Sequence, residues 1–215
     1  MTPKIKICGI TKPQEIPYLN DAGVDYAGFV FYEKSKRNVD IVHAKMLMRL
    51  LDESIKKVAV MVSPDKTMIE HLQEAGFDIL QIHGTLLKEA LEAAELPVWY
   101  AVNLSDPQEL KQKTDAVVSL PDELQKKITA VVVDGAGYGG GKTFDWSSGQ
   151  NLRQTGRIFE GRDLILAGGL RPENVAGGIR LFAPDVVDVS SGVEGENGKE
   201  KTLINRFVSE VKRDE

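Results

Sequence analysis

Cysteine is almost missing from this chain: 215 residues hold one, Cys8, so no disulfide can form within it. Long apolar runs are missing too. None approaches the roughly 18 residues of a membrane span, and none follows Met1 in the manner of a secretory signal. Basic charge is not in excess either. A formal net charge of −5 and a pI near 5.4 lack the footprint of a nucleic-acid-binding surface. A disulfide scaffold, a membrane partner and a nucleic-acid partner are therefore not expected, and a reducing cytoplasm is the expected compartment. The 42% of hydrophobic residues suffices for one sizeable core, so a single domain over 1–215 is expected.

What is present is an alternation of strand-like and helix-like segments. Strands are expected at Lys4–Cys8, Asp25–Phe31, Lys56–Val62, Asp78–His83, Val98–Asn103, Thr129–Asp134, Asp163–Ala167 and Asp185–Val189. Helical patterns such as Asp40–Leu51 and Pro64–Ala75 lie between them, with stops at Ala22-Gly23 and Ala75-Gly76. Strands joined by helices run parallel, and eight such units predict a closed (β/α)8 barrel. Between Leu104 and Ile128 the segment Ala116-Val-Val-Ser-Leu120 interrupts a single helix, so a broken helix or an extra turn is expected there.

In such barrels the chemistry sits at the C-terminal ends of the strands. Three of those ends carry reactive side chains: Cys8 on the first strand, His83 on the fourth and Asp134 on the sixth. Strand seven runs into Gly168-Gly169, and strand eight into Ser190-Ser191-Gly192. Those two loops form the recurring phosphate site of this fold, where glycines admit close backbone approach and serines offer donors to an anion. A phosphorylated small molecule is the expected partner. His43 and His71 fall in helical patterns, which leaves too few rim histidines for a His-based metal site.

The stretch Asp134-Gly-Ala-Gly-Tyr-Gly-Gly-Gly-Lys-Thr143 approaches a nucleotide phosphate loop, but Ala136 stands where that motif has its first glycine. Phe144-Asp-Trp-Ser-Ser-Gly149 then breaks the helix such a loop requires. Gly135–Gly141 therefore reads as a flap beside Asp134, and Lys142 as dispensable for catalysis.

Lys6-Ile-Cys-Gly-Ile-Thr11, Gly28-Phe-Val-Phe-Tyr32 with Ser35-Lys36-Arg37, Gln81-Ile-His-Gly84, Gly139–Trp146, Gly168–Asn174 and Asp188–Glu194 together resemble phosphoribosylanthranilate isomerase over nearly the whole chain. The resemblance implies an Amadori rearrangement in tryptophan biosynthesis, with Cys8 as general base, Asp134 as general acid and Arg37 holding the anthranilate carboxylate. It implies no cofactor. The chain departs from the family in having Ser35-Lys36-Arg37 in the loop after the second strand where Ser-Pro-Arg is usual, and in carrying Lys142 in the loop after the sixth. Assembly as a monomer or homodimer is expected. A phosphate-loop NTPase, a sibling phosphosugar isomerase on the same barrel and a noncatalytic phosphosugar-binding barrel stay open at this point. The sibling isomerase of histidine biosynthesis has aspartate where Cys8 stands.

Overall fold

The computed structural model describes residues 2–134 and 156–213. The expected glycine-rich flap at Gly135–Gly141, with Lys142 and Phe144–Gly149, lies outside the described residues. Eight parallel strands form a closed barrel in chain order: β1 (Lys4–Cys8), β2 (Tyr26–Phe31), β3 (Lys56–Val62), β4 (Ile79–His83), β5 (Val98–Asn103), β6 (Ile128–Asp134), β7 (Asp163–Leu166) and β8 (Val186–Val189). The ring is completed by β8 pairing with β1, where Lys6 lies opposite Asp188. The eight-stranded barrel expected from the alternation pattern is thus the fold observed.

Side chains alternate across each strand. One set, including Ile7, Phe29, Leu80, Val131 and Leu166, packs outward in a cluster shared with the helices. The other set points into the barrel, where Tyr26, Val58, Ile79, Trp99, Ala130, Ile165 and Val186 fill the interior. Tyr26 and Trp99 meet there edge to face, with ring centroids 5.0 Å apart. Each large apolar side chain buried in this way is worth about 1.5–3 kcal/mol. The inward set turns polar only toward the C-terminal mouth, and that change in character positions the site.

Helix boundaries follow local chemistry. Asp40, Asp65 and Asp106 cap the helices Ile41–Met48, Lys66–Glu74 and Pro107–Val118, each accepting a backbone N–H of the first turn. The expected break within 104–128 is present. Helix Pro107–Val118 stops before Pro121, which cannot continue its hydrogen-bond ladder, and a short helix Asp122–Gln125 follows. The Gln125 amide donates to the freed carbonyls of Val118 and Leu120 at 3.2 and 2.9 Å.

Three strands begin one residue later than expected, and the reason is common to all. Asp25, Asp78 and Asp185 stand just before β2, β4 and β8. Each turns its carboxylate onto a backbone N–H of the preceding strand: Ile5, Lys57 and Leu164, at 2.8, 2.8 and 2.7 Å. The aspartates therefore clasp neighbouring strands with their side chains. Two positions before each clasp the chain takes a left-handed turn, at Gly23 (φ 61), Gly76 (φ 92) and Ala183 (φ 43). After β8 come a single 3-10 turn, Ser191–Val193, and a small hairpin of Glu194–Gly195 with Gly198–Lys199. The alternation pattern does not announce that hairpin.

Candidate active site

Cys8, His83 and Asp134 are the last residues of β1, β4 and β6, and all three line one pocket at the C-terminal mouth of the barrel. Its floor is apolar, made by Val30, Val60, Val132 and Ala167. Arg37, Gly168, Gly169, Ser190 and Ser191 complete the rim, so every residue singled out in the sequence except Gly192 lines the same cavity. Gly192 lies just behind it. A Cβ at that position would overlap the carbonyl oxygen of Leu170, so the missing side chain is what lets the loop after β8 press on the loop after β7. Gly168 and Gly169 both sit at positive φ, 83° and 67°, the region that glycine enters without strain.

Cys8 is buried, and burial pushes its thiol above its ordinary value. The Lys6 ammonium opposes that rise, the Asp188 carboxylate adds to it, and Lys199 opposes it again. Lys6 is itself fully buried and pairs with Asp188 Oδ2 at 2.8 Å. Burial pulls the Lys6 pKa down, but the charges of Asp188 and Cys8 and their hydrogen bonds outweigh it and favour the ammonium. The other oxygen of that carboxylate, Asp188 Oδ1, has no hydrogen-bond partner among the described residues. Asp188 also lines the pocket.

His83 lies 2.9 Å from the amide nitrogen of Gln81, through its Nε2. Burial, with Lys6 and Lys113 as neighbouring charges, lowers its pKa to about 3, so the ring is neutral at ordinary pH. A neutral imidazole takes the Gln81 amide proton at Nε2. Gln81 Oε1 is then left without a partner among the described residues, a second buried acceptor in the cavity wall.

Arg37 donates to Glu194 through both Nε and Nη2. Lys199 donates to the same carboxylate at 2.7 Å, and also to the backbone carbonyl and the hydroxyl of Ser190, at 3.1 and 3.2 Å. The Ser190 hydroxyl in turn donates to the carbonyl of Cys8 at 2.9 Å. A polar chain thus runs from the loop after β2 through the hairpin to the end of β1. Burial disfavours the Glu194 carboxylate, but the Arg37 and Lys199 contacts overcome this and bring its pKa down to about 2. Arg37 is accordingly held from behind by a carboxylate of its own chain, and the Ser190 hydroxyl proton is already committed, a use that reading Ser190 as an anion donor did not foresee.

Sequence reading missed Asp188, Gln81, Glu194 and Lys199 as members of this site. For Asp188 a signal existed: it is a charged residue at an inward position of a strand that is otherwise apolar. Glu194 and Lys199 carried no such signal, because the hairpin that presents them was not expected. Among the described residues, no group of three or more His, Cys, Asp or Glu is placed to hold a metal ion, and no helix is long and apolar enough to cross a membrane.

The arrangement is one thiol beside a buried ammonium, one carboxyl on the wall beyond β7 and β8, an arginine fork at the rim and a pair of glycine-bearing loops meeting over the mouth. It is equipped to move protons on a small phosphorylated substrate. Comparison with known proteins gives the same direction. The family model described as N-(5'phosphoribosyl)anthranilate (PRA) isomerase matches residues 5–210. The N-(5'-phosphoribosyl)anthranilate isomerase of Thermoanaerobacter pseudethanolicus is 36% identical over 219 residues, covering 97% of this chain and 98% of that protein. The crystal structure of phosphoribosyl anthranilate isomerase from Thermotoga maritima superposes with a TM-score of 0.83 at 31% identity, covering 98% of this chain and 99% of that one. A further solved phosphoribosyl anthranilate isomerase, in complex with reduced 1-(o-carboxyphenylamino)-1-deoxyribulose 5-phosphate, gives a TM-score of 0.81 at 29% identity over 98% and 99% of the two chains. A family match across almost the full barrel, joined to a pocket with Cys8 and Asp134 at the ends of β1 and β6, leaves one assignment: the chain belongs to the N-(5'-phosphoribosyl)anthranilate isomerase family.

Proposed function

We propose that this chain converts N-(5'-phosphoribosyl)anthranilate to 1-(2-carboxyphenylamino)-1-deoxyribulose 5-phosphate, with Cys8 as general base and Asp134 as general acid. The observation that carries the assignment of roles is that these two groups end β1 and β6 and line one cavity with both glycine-bearing loops. In its protonated form Asp134 delivers a proton to the ring oxygen as the C1'–O bond breaks, and the anthranilate nitrogen lone pair forms the C1'=N iminium. The Cys8 thiolate then takes the hydrogen on C2'. The released electron pair forms the C1'=C2' double bond, and the iminium pair returns to nitrogen. Loss of the O2' proton and gain of one at C1' gives the ketone. Every bond change is a proton transfer or an electron-pair shift, so the residues need no redox partner.

The substrate phosphate belongs between Gly168–Gly169 and Ser190–Gly192, and its carboxylate at Arg37, whose planar fork suits such a group. His83 and Gln81 offer contacts to the sugar from β4. The chain is read as one catalytic domain over 1–215 that works in the cytoplasm, where its single thiol stays reduced. We place its assembly at monomer or homodimer, the two forms named for the Thermotoga maritima relative.

The test is the fluorescence decay of phosphoribosylanthranilate generated in situ. Cys8→Ser and Asp134→Asn should each lose about 10²–10⁴ in kcat, the usual worth of a general acid or base, while reduced product analogue still binds. Turnover within about threefold of the parent in either variant would remove that residue from the mechanism.

A further inference from the structure

Lys6 is the most unusual residue of the barrel interior. It is fully buried between exposed Lys4 and Cys8 on the inward face of β1, and among the described residues its ammonium pairs with Asp188 at 2.8 Å. A buried ion pair is a weak source of stability, since apolar residues of the same volume fill such a space at least as well. Its presence under a reactive group calls for a chemical reason.

The packing supplies one. Lys6 and Cys8 are two apart on β1 and so share the inner face. Across from them on β2 is Gly28, paired with Cys8. A Cβ added at Gly28 would lie 2.8 Å from the Cys8 sulfur and 3.1 Å from the Lys6 nitrogen, so the same empty volume borders both groups. β8 closes the other side with Asp188, opposite Lys6 in the ladder. Three strands therefore hold an ammonium beneath the thiol, with a carboxylate behind it. Resting on the reading of Cys8 as the base, we propose that Lys6 is a positioning residue that supplies the counter-charge for the Cys8 thiolate, and that Asp188 keeps its ammonium in place.

The other charges around the thiol do not replace it. Lys199, from the hairpin, also favours the thiolate but is shared between Glu194 and Ser190. Arg37, from the loop after β2, is bound to Glu194. Asp188 opposes the thiolate, while His83 is neutral and Asp134 lies on the wall beyond β7 and β8. Lys6 is the closest ally of the thiolate among them, ahead of Lys199 in its pull.

A single cysteine makes the test clean, because thiolate absorbance and iodoacetamide alkylation of the intact enzyme then report Cys8 alone. Two variants are compared with the parent and with Asp188→Asn: Lys6→Met, and Lys6→Met with Asp188→Asn, which removes both buried charges and leaves no unpaired carboxylate. In Lys6→Met the midpoint of thiol titration should rise by about one pH unit or more, as expected on loss of an adjacent opposite charge, and in the double variant by less, because loss of the Asp188 carboxylate offsets part of the rise. Turnover at neutral pH should fall at least about tenfold and recover as pH rises toward the new midpoint, with KM nearly unchanged. A merely structural role for Lys6 would lower activity without moving the titration. A thiol midpoint within about 0.3 units of the parent in folded Lys6→Met, or within about 0.3 units of Asp188→Asn in the folded double variant, would overturn the proposal. A raised midpoint with parental kcat would instead leave Lys6 as the counter-charge and remove Cys8 from the mechanism, so the two readings fail separately.

Discussion

Arg37 and Glu194, 157 positions apart in the chain, meet through two parallel hydrogen bonds, Nε to Oε1 at 2.6 Å and Nη2 to Oε2 at 2.7 Å. A guanidinium has five N–H donors; Glu194 takes two of them, leaving three for the pocket that Arg37 lines. The carboxylate acts as a backstop that sets the plane of the fork.

Glu194→Gln keeps the length of that backstop and discards its charge. Substrate KM should rise about tenfold, the worth of roughly 1.4 kcal/mol lost from a charge-assisted contact, with kcat changed less than about threefold. Steady-state kinetics check this, and an unchanged KM would contradict it. The pH dependence follows from the same group. Folding pulls the Glu194 carboxyl from its ordinary 4.5 down to about 2, so its contribution to stability is fully present above about pH 4.5 and is lost as pH falls through 2. The melting-temperature gap between parent and Glu194→Gln should narrow over that window, as thermal melts at successive pH values will read.

His83 makes the opposite demand. Its pKa falls on folding from 6.5 to about 3, so between those values the unfolded chain binds a proton that the folded one refuses. This group therefore lowers stability as pH drops below 6.5. His83→Gln should flatten the loss of denaturant stability between pH 6.5 and 4 relative to the parent. The His83 ring resonances should also stay fixed from pH 5 to 8 in the parent, and a ring titrating near 6.5 would refute the neutral assignment.

Ala183 occupies a left-handed turn at φ 43, in the place where Gly23 and Gly76 serve the other two aspartate clasps. A side chain in that region costs about 1–2 kcal/mol, and glycine there returns part of it to unfolded-state entropy. Ala183→Gly should therefore gain about 0.5–1 kcal/mol, or roughly 1–4 °C in melting temperature for a chain of this size. Calorimetry decides, and a lower melting temperature would show that the turn is not strained.

Gly192→Ala places a methyl against the Leu170 carbonyl, a backbone atom with no rotamer to escape into. The loops after β7 and β8 must separate. Stability should drop by about 1–3 kcal/mol, the usual cost of overpacking, and inhibition by inorganic phosphate should weaken at least about tenfold. Phosphate inhibition equal to the parent's would detach the ligand's phosphate from this pair of loops.

Much of this fold was legible in advance. Strand ends such as Cys8, His83 and Asp134 could be placed because apolar runs stop there and the barrel directs its chemistry to those ends. The beginnings were less legible: Asp25, Asp78 and Asp185 read as strand residues, yet they bond with their side chains, which periodicity does not encode. The partners of the side chains at the pocket were mostly invisible. Glu194 reaches Arg37 only because the barrel closes and a hairpin turns back over its rim, and neither event leaves a local mark in the chain.

Closure of the ring by β1 and β8 also bears on how the molecule is made. Lys6 emerges from the ribosome early, while its counter-ion Asp188 follows 182 residues later. Until then, sealing the first strand into a barrel would trap a cation with no anion, which low-dielectric surroundings oppose strongly. A growing chain that still lacks β8 is thus discouraged from compacting prematurely, and protease attack on chains cut after β7 should find β1 accessible. Acquisition of the counter-ion, of the Ser190 bond to Cys8 and of the Glu194 backstop then coincides with pairing of the last barrel strand, so these contacts form together rather than by degrees.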